Sequence, residues 1–131
     1  MKFIRLSMAT FAAVAVFASV AASADFPAKP VTIIVPFSAG GGTDITTRTL
    51  AGPMAEALGV EIVVKNTAGA GGTIGAAETA RAREDGYTIG MMPVGPMTTQ
   101  PHLRELPYGP ESFDYICQAY SAPSSLVVRQ D

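Results

Sequence analysis

Short runs rich in apolar residues alternate along the chain with segments whose apolar residues recur at helical spacing. The runs lie at 31–35, 60–65 and 87–92. The first run, 31–35, is β-branched throughout and apolar apart from Thr32, which is typical of a strand buried on both faces of a parallel sheet. Helical spacing follows the first run, from Thr43 or Asp44 as a cap to Gly59, and follows the second from Thr73 to about Arg83. This β-α-β-α-β order predicts an α/β fold with a parallel sheet and right-handed crossovers.

Two further apolar runs, at 113–119 and 126–129, predict a fourth and a fifth strand, with Cys117 buried in the fourth. No helical pattern follows the last run, although a parallel strand needs cover on both of its faces. We therefore expect residues 25–131 to form one α/β lobe that is incomplete.

Two glycine-rich turns, at 38–44 and 66–75, each join a predicted strand to a predicted helix. Such a junction leaves N–H groups free at the positive end of the helix, where anions bind. Ligands of open parallel sheets bind beyond the carboxyl ends of the strands, and a 2-1-3 strand order would make the first turn central. We interpret the first turn as a binding loop and Asp44 as its helix cap. For the second turn, ligand binding and close helix packing both stay open. A third loop, at 93–100, follows the third strand.

Residues 1–24 have the pattern of a secretory signal peptide. Lys2 and Arg5 precede an apolar run at 8–20, and the small residues 22–24 form a cleavage motif. Because the run is short for a membrane span, we expect cleavage between Ala24 and Asp25 rather than a retained anchor. No cysteine lies beside that position, so we expect an exported product without a lipid anchor.

Charge and composition narrow the functional classes. The net charge of −2 becomes about −4 without Lys2 and Arg5, which argues against nucleic-acid binding. His102 is the only histidine and Cys117 the only cysteine, so an internal disulfide is excluded. Neither residue lies at catalytic or metal-ligand spacing, and the Walker and dinucleotide fingerprints are missing. We expect no catalytic residue, no metal and no cofactor.

An ordered set of motifs resembles the extracytoplasmic solute receptors of tripartite tricarboxylate transporters, the Bug-type receptors. The motifs are the segment 26–37, Gly40-Gly41-Gly42-Thr43-Asp44, Gly69-Ala70-Gly71-Gly72 with Ile74-Gly75-Ala76, Asp85-Gly86-Tyr87-Thr88, and Leu106-Pro107-Tyr108. The resemblance covers essentially all of residues 25–131. It implies a type II periplasmic binding protein of two lobes, of which this chain has the first.

The resemblance also implies a function. A receptor of this kind is a periplasmic monomer that captures a small carboxylate and passes it to membrane permease subunits. The implied ligand contacts in the first turn are Phe37, Ala39, Gly40, Gly41, Thr43 and Asp44. Further implied contacts are Asn66, Gly71, Gly72, Gly95 and Thr98. Because a single lobe cannot close on its ligand and exclude water, we expect it to bind weakly or not at all.

Two alternatives stay open at this point. One is a small exported α/β enzyme that acts on an acidic or phosphorylated substrate and uses the glycine-rich turns as an oxyanion or phosphate site. The scarcity of nucleophile–base pairs argues against it. The other is a truncated receptor without function.

Overall fold

The computed structural model describes residues 25–123 and 125–130. The predicted signal peptide, including Ala24, lies outside the described residues. The elements follow in the order β1 (Val31–Val35), α1 (Gly42–Leu58), β2 (Ile62–Asn66), a 3₁₀ turn (Ala70–Gly72), α2 (Thr73–Ala80), β3 (Thr88–Gly90), a π-helical turn (Gly95–Thr99), α3 (Gln100–Leu103) and a second 3₁₀ turn (Pro110–Ser112).

The three strands form one parallel sheet in the order β2-β1-β3. In the register, Ile33 lies between Val64 of β2 and Ile89 of β3. The α/β class and the 2-1-3 order are therefore confirmed. The end of β1, where the first glycine-rich turn begins, lies at the point where the strand order reverses.

The helices α1 and α2 cover opposite faces of this sheet. Asn66 at the end of β2 bonds to Asp44 of α1, whereas the preceding Lys65 forms an ion pair with Glu78 of α2 at 2.6 Å. Consecutive strand residues point to opposite faces, so the two contacts lie on different sides. Cover on both faces explains why four of the five residues of β1 are at most 3% exposed.

Small residues bring α2 close to the sheet. Ala76 and Ala77 are buried and pack with Tyr108 in a small core cluster. The Tyr108 ring meets Phe113 edge to face at 5.7 Å, and its hydroxyl donates to the carbonyl oxygen of Pro96 at 2.9 Å. Burial raises the pKa of Tyr108, in keeping with a hydroxyl that stays protonated and donates.

The fourth and fifth predicted strands are wrong. Residues 113–123 and 125–130 form no regular element, and Cys117 is exposed rather than buried. Leu126, Val127 and Val128 are more than 80% exposed. A strand needs a hydrogen-bonded neighbour and a covered face, and an apolar run in a sequence reports neither.

Several element boundaries also differ from expectation, among them that of β2, which spans Ile62–Asn66 instead of 60–65. The helix α2 ends at Ala80 instead of near Arg83, and β3 spans three residues where six were expected. Among the described residues, no helix combines the length and the hydropathy needed to cross a bilayer.

Candidate functional site

The first glycine-rich turn reverses the chain between β1 and α1 within a few residues. The Gly41 N–H donates to the Ser38 carbonyl at 3.3 Å, and Gly40 has a φ of +81°. A positive φ of this size favours glycine because it lacks Cβ. Gly41 is the N-cap of α1, with extended backbone and no side-chain cap bond.

The start of α1 presents backbone donors that the protein itself does not use. Within the described residues, the N–H groups of Gly42, Thr43 and Asp44 donate to no protein acceptor, whereas Ile45 N–H already bonds to Gly41. These are the unpaired first-turn donors of a helix, and they coincide with the positive end of its dipole. The arrangement suits a carboxylate or another small anion.

A cleft of about 490 Å³ lies beside these donors, lined by Phe37, Ser38, Gly41, Gly42, Thr43 and Pro93. Three of its residues, Phe37, Gly41 and Thr43, are in the predicted contact set. Gly42 was missed there, although its place directly after the N-cap is a signal that could have found it. Ala39 and Gly40 are exposed on the same turn.

Asp44 lies under this turn instead of capping the helix. It is 3% exposed, and its Oδ2 accepts the Gly40 N–H at 2.8 Å. Arg48 Nε donates to both carboxylate oxygens at 3.0 and 3.1 Å, and Asn66 Nδ2 donates to Oδ1 at 3.0 Å. The Arg48 hydrogen bond, followed by those of Gly40 and Asn66, lowers the pKa of Asp44 to about 2. The predicted cap is therefore wrong. The N-cap residue is Gly41, and Asp44 accepts from the N–H of Gly40, the residue before that N-cap.

Asn66 joins the end of β2 to the same cluster. Its amide nitrogen also donates to the Phe37 carbonyl at 3.0 Å, and its Oδ1 accepts from Arg48 Nη2 at 3.0 Å. The side chains of Asp44 and Asn66 thus bond to the protein, not to the cleft. Sequence reasoning missed Arg48, although its i, i+4 spacing from Asp44 is a signal for an ion pair on one helix face.

The second glycine-rich turn is packed, not open. A Cβ on Gly72 would lie 2.5 Å from Pro96 Cγ, and a Cβ on Gly71 would lie 3.0 Å from Gln100 Nε2. A Cβ on Gly75 would lie 2.8 Å from both Pro36 Cα and the Thr67 carbonyl oxygen. These glycines admit close neighbours, so the geometry favours the packing interpretation of this turn.

The third loop is largely helical. The π-helical turn Gly95–Thr99 continues into α3, and Thr98 Oγ1 donates to the Val94 carbonyl at 2.9 Å. Gly95 has open space at its Cβ position. Neither residue lines the cleft at the first turn. Among the described residues, no group of three or more His, Cys, Asp or Glu side chains is placed to hold a metal ion.

Comparison with known proteins identifies the family. Residues 46–131 match the tripartite tricarboxylate transporter family receptor. The chain belongs to this family. The match confirms the resemblance described above, and because the family consists of solute-binding receptors, it also confirms that the chain is not an enzyme.

Individual relatives are considerably longer than this chain. A UPF0065 protein from the TAR-I ttuE-ttuC' intergenic region of Agrobacterium vitis is 38% identical over 107 residues, which cover 81% of this chain and 31% of the relative. Protein BugT of Bordetella pertussis is 46% identical over 79 residues, covering 60% and 24%. The solved structure of a periplasmic transporter has a TM-score of 0.57 at 46% identity, covering 65% of this chain and 29% of that one. The chain therefore spans about a third or less of the length of these proteins.

Proposed function

We propose that this chain binds a small carboxylate at the start of α1, as the first lobe of a periplasmic receptor that serves a tripartite tricarboxylate transporter. The observation that carries the proposal is the set of unpaired N–H groups of Gly42, Thr43 and Asp44 beside the cleft. Membership of the receptor family supports the ligand class, and the likeness to a periplasmic transporter supports the compartment.

The chemistry of capture is electrostatic and reversible. Backbone donors that are already oriented lose little freedom when a carboxylate arrives, and a hydrogen bond to a charged partner is stronger than a neutral one. Phe37 and Pro93 give the cleft apolar walls, which suit the carbon skeleton of an organic acid. Of the predicted contacts, we assign direct ones to Phe37, Ala39, Gly41, Thr43 and the backbone N–H of Asp44, together with Gly42.

The remaining predicted contacts play other parts in this proposal. The side chains of Asp44 and Asn66 hold the turn from beneath, where the Asp44 carboxylate accepts the Gly40 N–H. Gly72 packs against Pro96 and Phe37 and Gly71 against Gln100, while Gly95 and Thr98 lie outside the cleft. Closure against a second lobe would exclude water and strengthen each polar contact. The 131-residue chain alone is therefore expected to bind with a dissociation constant of about 1 mM, roughly 4 kcal/mol.

The test variant removes one backbone N–H donor and leaves helix α1 in place. Proline is well accepted at the first position of a helix, where it deletes only an N–H that the helix does not use. Gly42 occupies that position, and Gly41 before it is extended, as a residue preceding proline must be. Gly42→Ala keeps the N–H and meets no atom within 4 Å, so it is the matched control.

Citrate is titrated into the isotope-labelled 131-residue chain at pH 7 and constant ionic strength, and amide shifts are followed by NMR. We expect the amides of residues 41–44 to move and those of 69–72 to stay still. Gly42→Pro should weaken binding about tenfold or more, since a hydrogen bond to a charged group contributes about 1.5–3 kcal/mol, whereas Gly42→Ala should bind like the parent. Equal binding by both variants, or shifts confined to other residues, would reject this site.

Export is tested separately. Cleavage between Ala24 and Asp25 stays a prediction, and the intact mass of the protein recovered from the periplasm checks it.

A further inference from the structure

We propose that Arg48 is a positioning residue for the carboxylate site. Through Asp44 and Asn66 it holds both ends of the segment 37–41, which leads into the first glycine-rich turn, and it does not touch the ligand. The inference rests on the proposed function for its ligand, but its structural part can be tested without any ligand.

Three hydrogen bonds from one guanidinium make Arg48 the centre of the cluster. Its Nε donates to both oxygens of Asp44, and its Nη2 donates to Asn66 Oδ1. The Arg48 side chain is 51% exposed, whereas that of Asp44 is only 4% exposed. The planar, multiple-donor guanidinium can satisfy two separate acceptors at fixed angles, which the single ammonium of a lysine does less well.

The two partners of Arg48 each hold one end of the turn. Asp44 accepts the Gly40 N–H near the carboxyl end of the turn, and Asn66 donates to the Phe37 carbonyl at its beginning. Without Arg48, each partner would lose its charged or charge-assisted neighbour and would be held only by its remaining hydrogen bonds. The direction in which the N–H groups of Gly42 and Thr43 point therefore depends on a side chain one helical turn away.

Arg48 also solves an electrostatic conflict at this site. Asp44 places a negative charge in the first turn of α1, where the proposed ligand is an anion, and like charges at short range oppose binding. The Arg48 guanidinium at 3.0 Å compensates that charge. Loss of Arg48 should consequently weaken anion binding in two ways, by disorder of the turn and by exposure of the ligand to an uncompensated carboxylate.

The experiment compares Arg48→Met and Arg48→Lys with Arg83→Met, which removes an exposed arginine beyond the end of α2. Solvent exchange of the Gly40 amide is measured by NMR in the 131-residue chain without ligand, and citrate is then titrated. Arg48→Met removes the hydrogen bonds that hold the Asp44 carboxylate against the Gly40 N–H. We therefore expect it to speed Gly40 exchange about tenfold and to weaken citrate binding by a similar factor. The Gly59 amide at the end of α1 should exchange as it does in Arg83→Met, whereas the urea midpoint of Arg48→Met should be lower, because the buried Asp44 carboxylate loses its charged partner.

Arg48→Lys keeps the positive charge but lacks the planar set of donors of the guanidinium. It should therefore retain part of the citrate affinity while Gly40 exchange stays fast. Unchanged Gly40 exchange in both Arg48 variants would overturn the proposal, as would citrate binding equal to that of Arg83→Met. If Arg48→Met does not fold, Arg48→Lys decides by the same two measurements. If the parent chain gives no citrate response, the proposed function fails, and Gly40 exchange alone still decides whether Arg48 orders the turn.

Discussion

The two glycine-rich turns of this protein are alike in sequence and in place, yet their glycines serve different physical purposes. Both follow a parallel strand and precede a helix on the same edge of the sheet. In the first turn, a Cβ on Gly40 or Gly42 would meet nothing within 4 Å. In the second, a Cβ on Gly72 or Gly75 would overlap Pro96 or Pro36. Glycine leaves open space beside one turn, where we propose that the ligand binds, and admits neighbouring parts of the protein in the other.

The two turns are also held in place by different kinds of contact. Polar side chains hold the first turn from below, through Asp44, Arg48 and Asn66. The second is held by ring packing against Pro96 and Phe37. Side chains that bond to a turn from one side leave its other side accessible, whereas rings that pack directly on its glycines cover it. This difference explains why the unpaired donors and the cleft occur together at the first turn.

The largest effect that tests this comparison is expected from Gly72→Ala, with Gly40→Ala as its counterpart. Both positions have positive φ, +91° and +81°, which costs about 1–2 kcal/mol for alanine. Only Gly72 adds an overlap with Pro96 Cγ, which should raise its total loss to about 3 kcal/mol. Urea denaturation of both variants measures the difference, and equal losses would contradict a packed second turn.

A somewhat smaller loss is expected from Gly75→Ala, because its backbone conformation accepts alanine and only the overlap acts. Two backbone atoms, Pro36 Cα and the Thr67 carbonyl oxygen, lie 2.8 Å from the new Cβ, so we expect about 2 kcal/mol of destabilisation. Gly42→Ala, at the start of the other helix, should stay within about 0.5 kcal/mol of the parent. A neutral Gly75→Ala would mean that α2 can move away from the sheet without cost.

The sequence predicted the frame of the fold because that frame follows from local patterns. The run Val31–Val35 is β-branched throughout and apolar apart from Thr32, a composition typical of a strand covered on both faces, and the alternation of strands and helices then left few topologies. The runs at 113–119 and 126–129 also contain apolar residues, but they have no partner strand among the described residues. Composition measures the tendency to form a strand, while pairing depends on parts of the chain far away in sequence.

The site was predictable to the level of the turn and no further. Glycine-rich turns indicate backbone exposure, but a sequence does not show whether a Cβ would meet empty space or Pro96. The role of Asp44 was mistaken for a similar reason. A carboxylate near a helix start satisfies the usual cap pattern, and one of its actual partners, Asn66, comes near it only when β2 lies beside β1.

Tyr108→Phe tests the second turn through Pro96, the residue that packs on it. The Tyr108 hydroxyl donates to the buried carbonyl of Pro96, the residue that packs on Gly72. Loss of this bond leaves a buried acceptor unpaired, so we expect about 1–1.5 kcal/mol of destabilisation. Tyr115→Phe is the matched control, because the Tyr115 hydroxyl donates to the Pro110 carbonyl at an exposed position. Its effect on the urea midpoint should be much smaller, and equal effects would show that burial of the Pro96 carbonyl is unimportant.

The smallest effect concerns pH and separates the polar support from the packed one. The pKa of Asp44 falls from 3.8 to about 2 in the folded chain, chiefly through the Arg48 hydrogen bond. A carboxyl whose pKa is lower in the folded than in the unfolded state stabilises the fold above the unfolded value. That contribution is lost as the pH falls from about 4 to about 2, because protonation then occurs in both states.

Asp44→Asn lacks this contribution at every pH, so its urea midpoint should lie below that of the parent at pH 7 and approach it near pH 2. Glu56→Gln, an exposed carboxyl substitution on the same helix, should follow the parent throughout. Gly72→Ala, whose loss comes from packing and backbone strain, should keep a constant distance from the parent over this range. A gap for Asp44→Asn that does not narrow in acid would mean that shape, not charge, is what Asp44 supplies to the first turn.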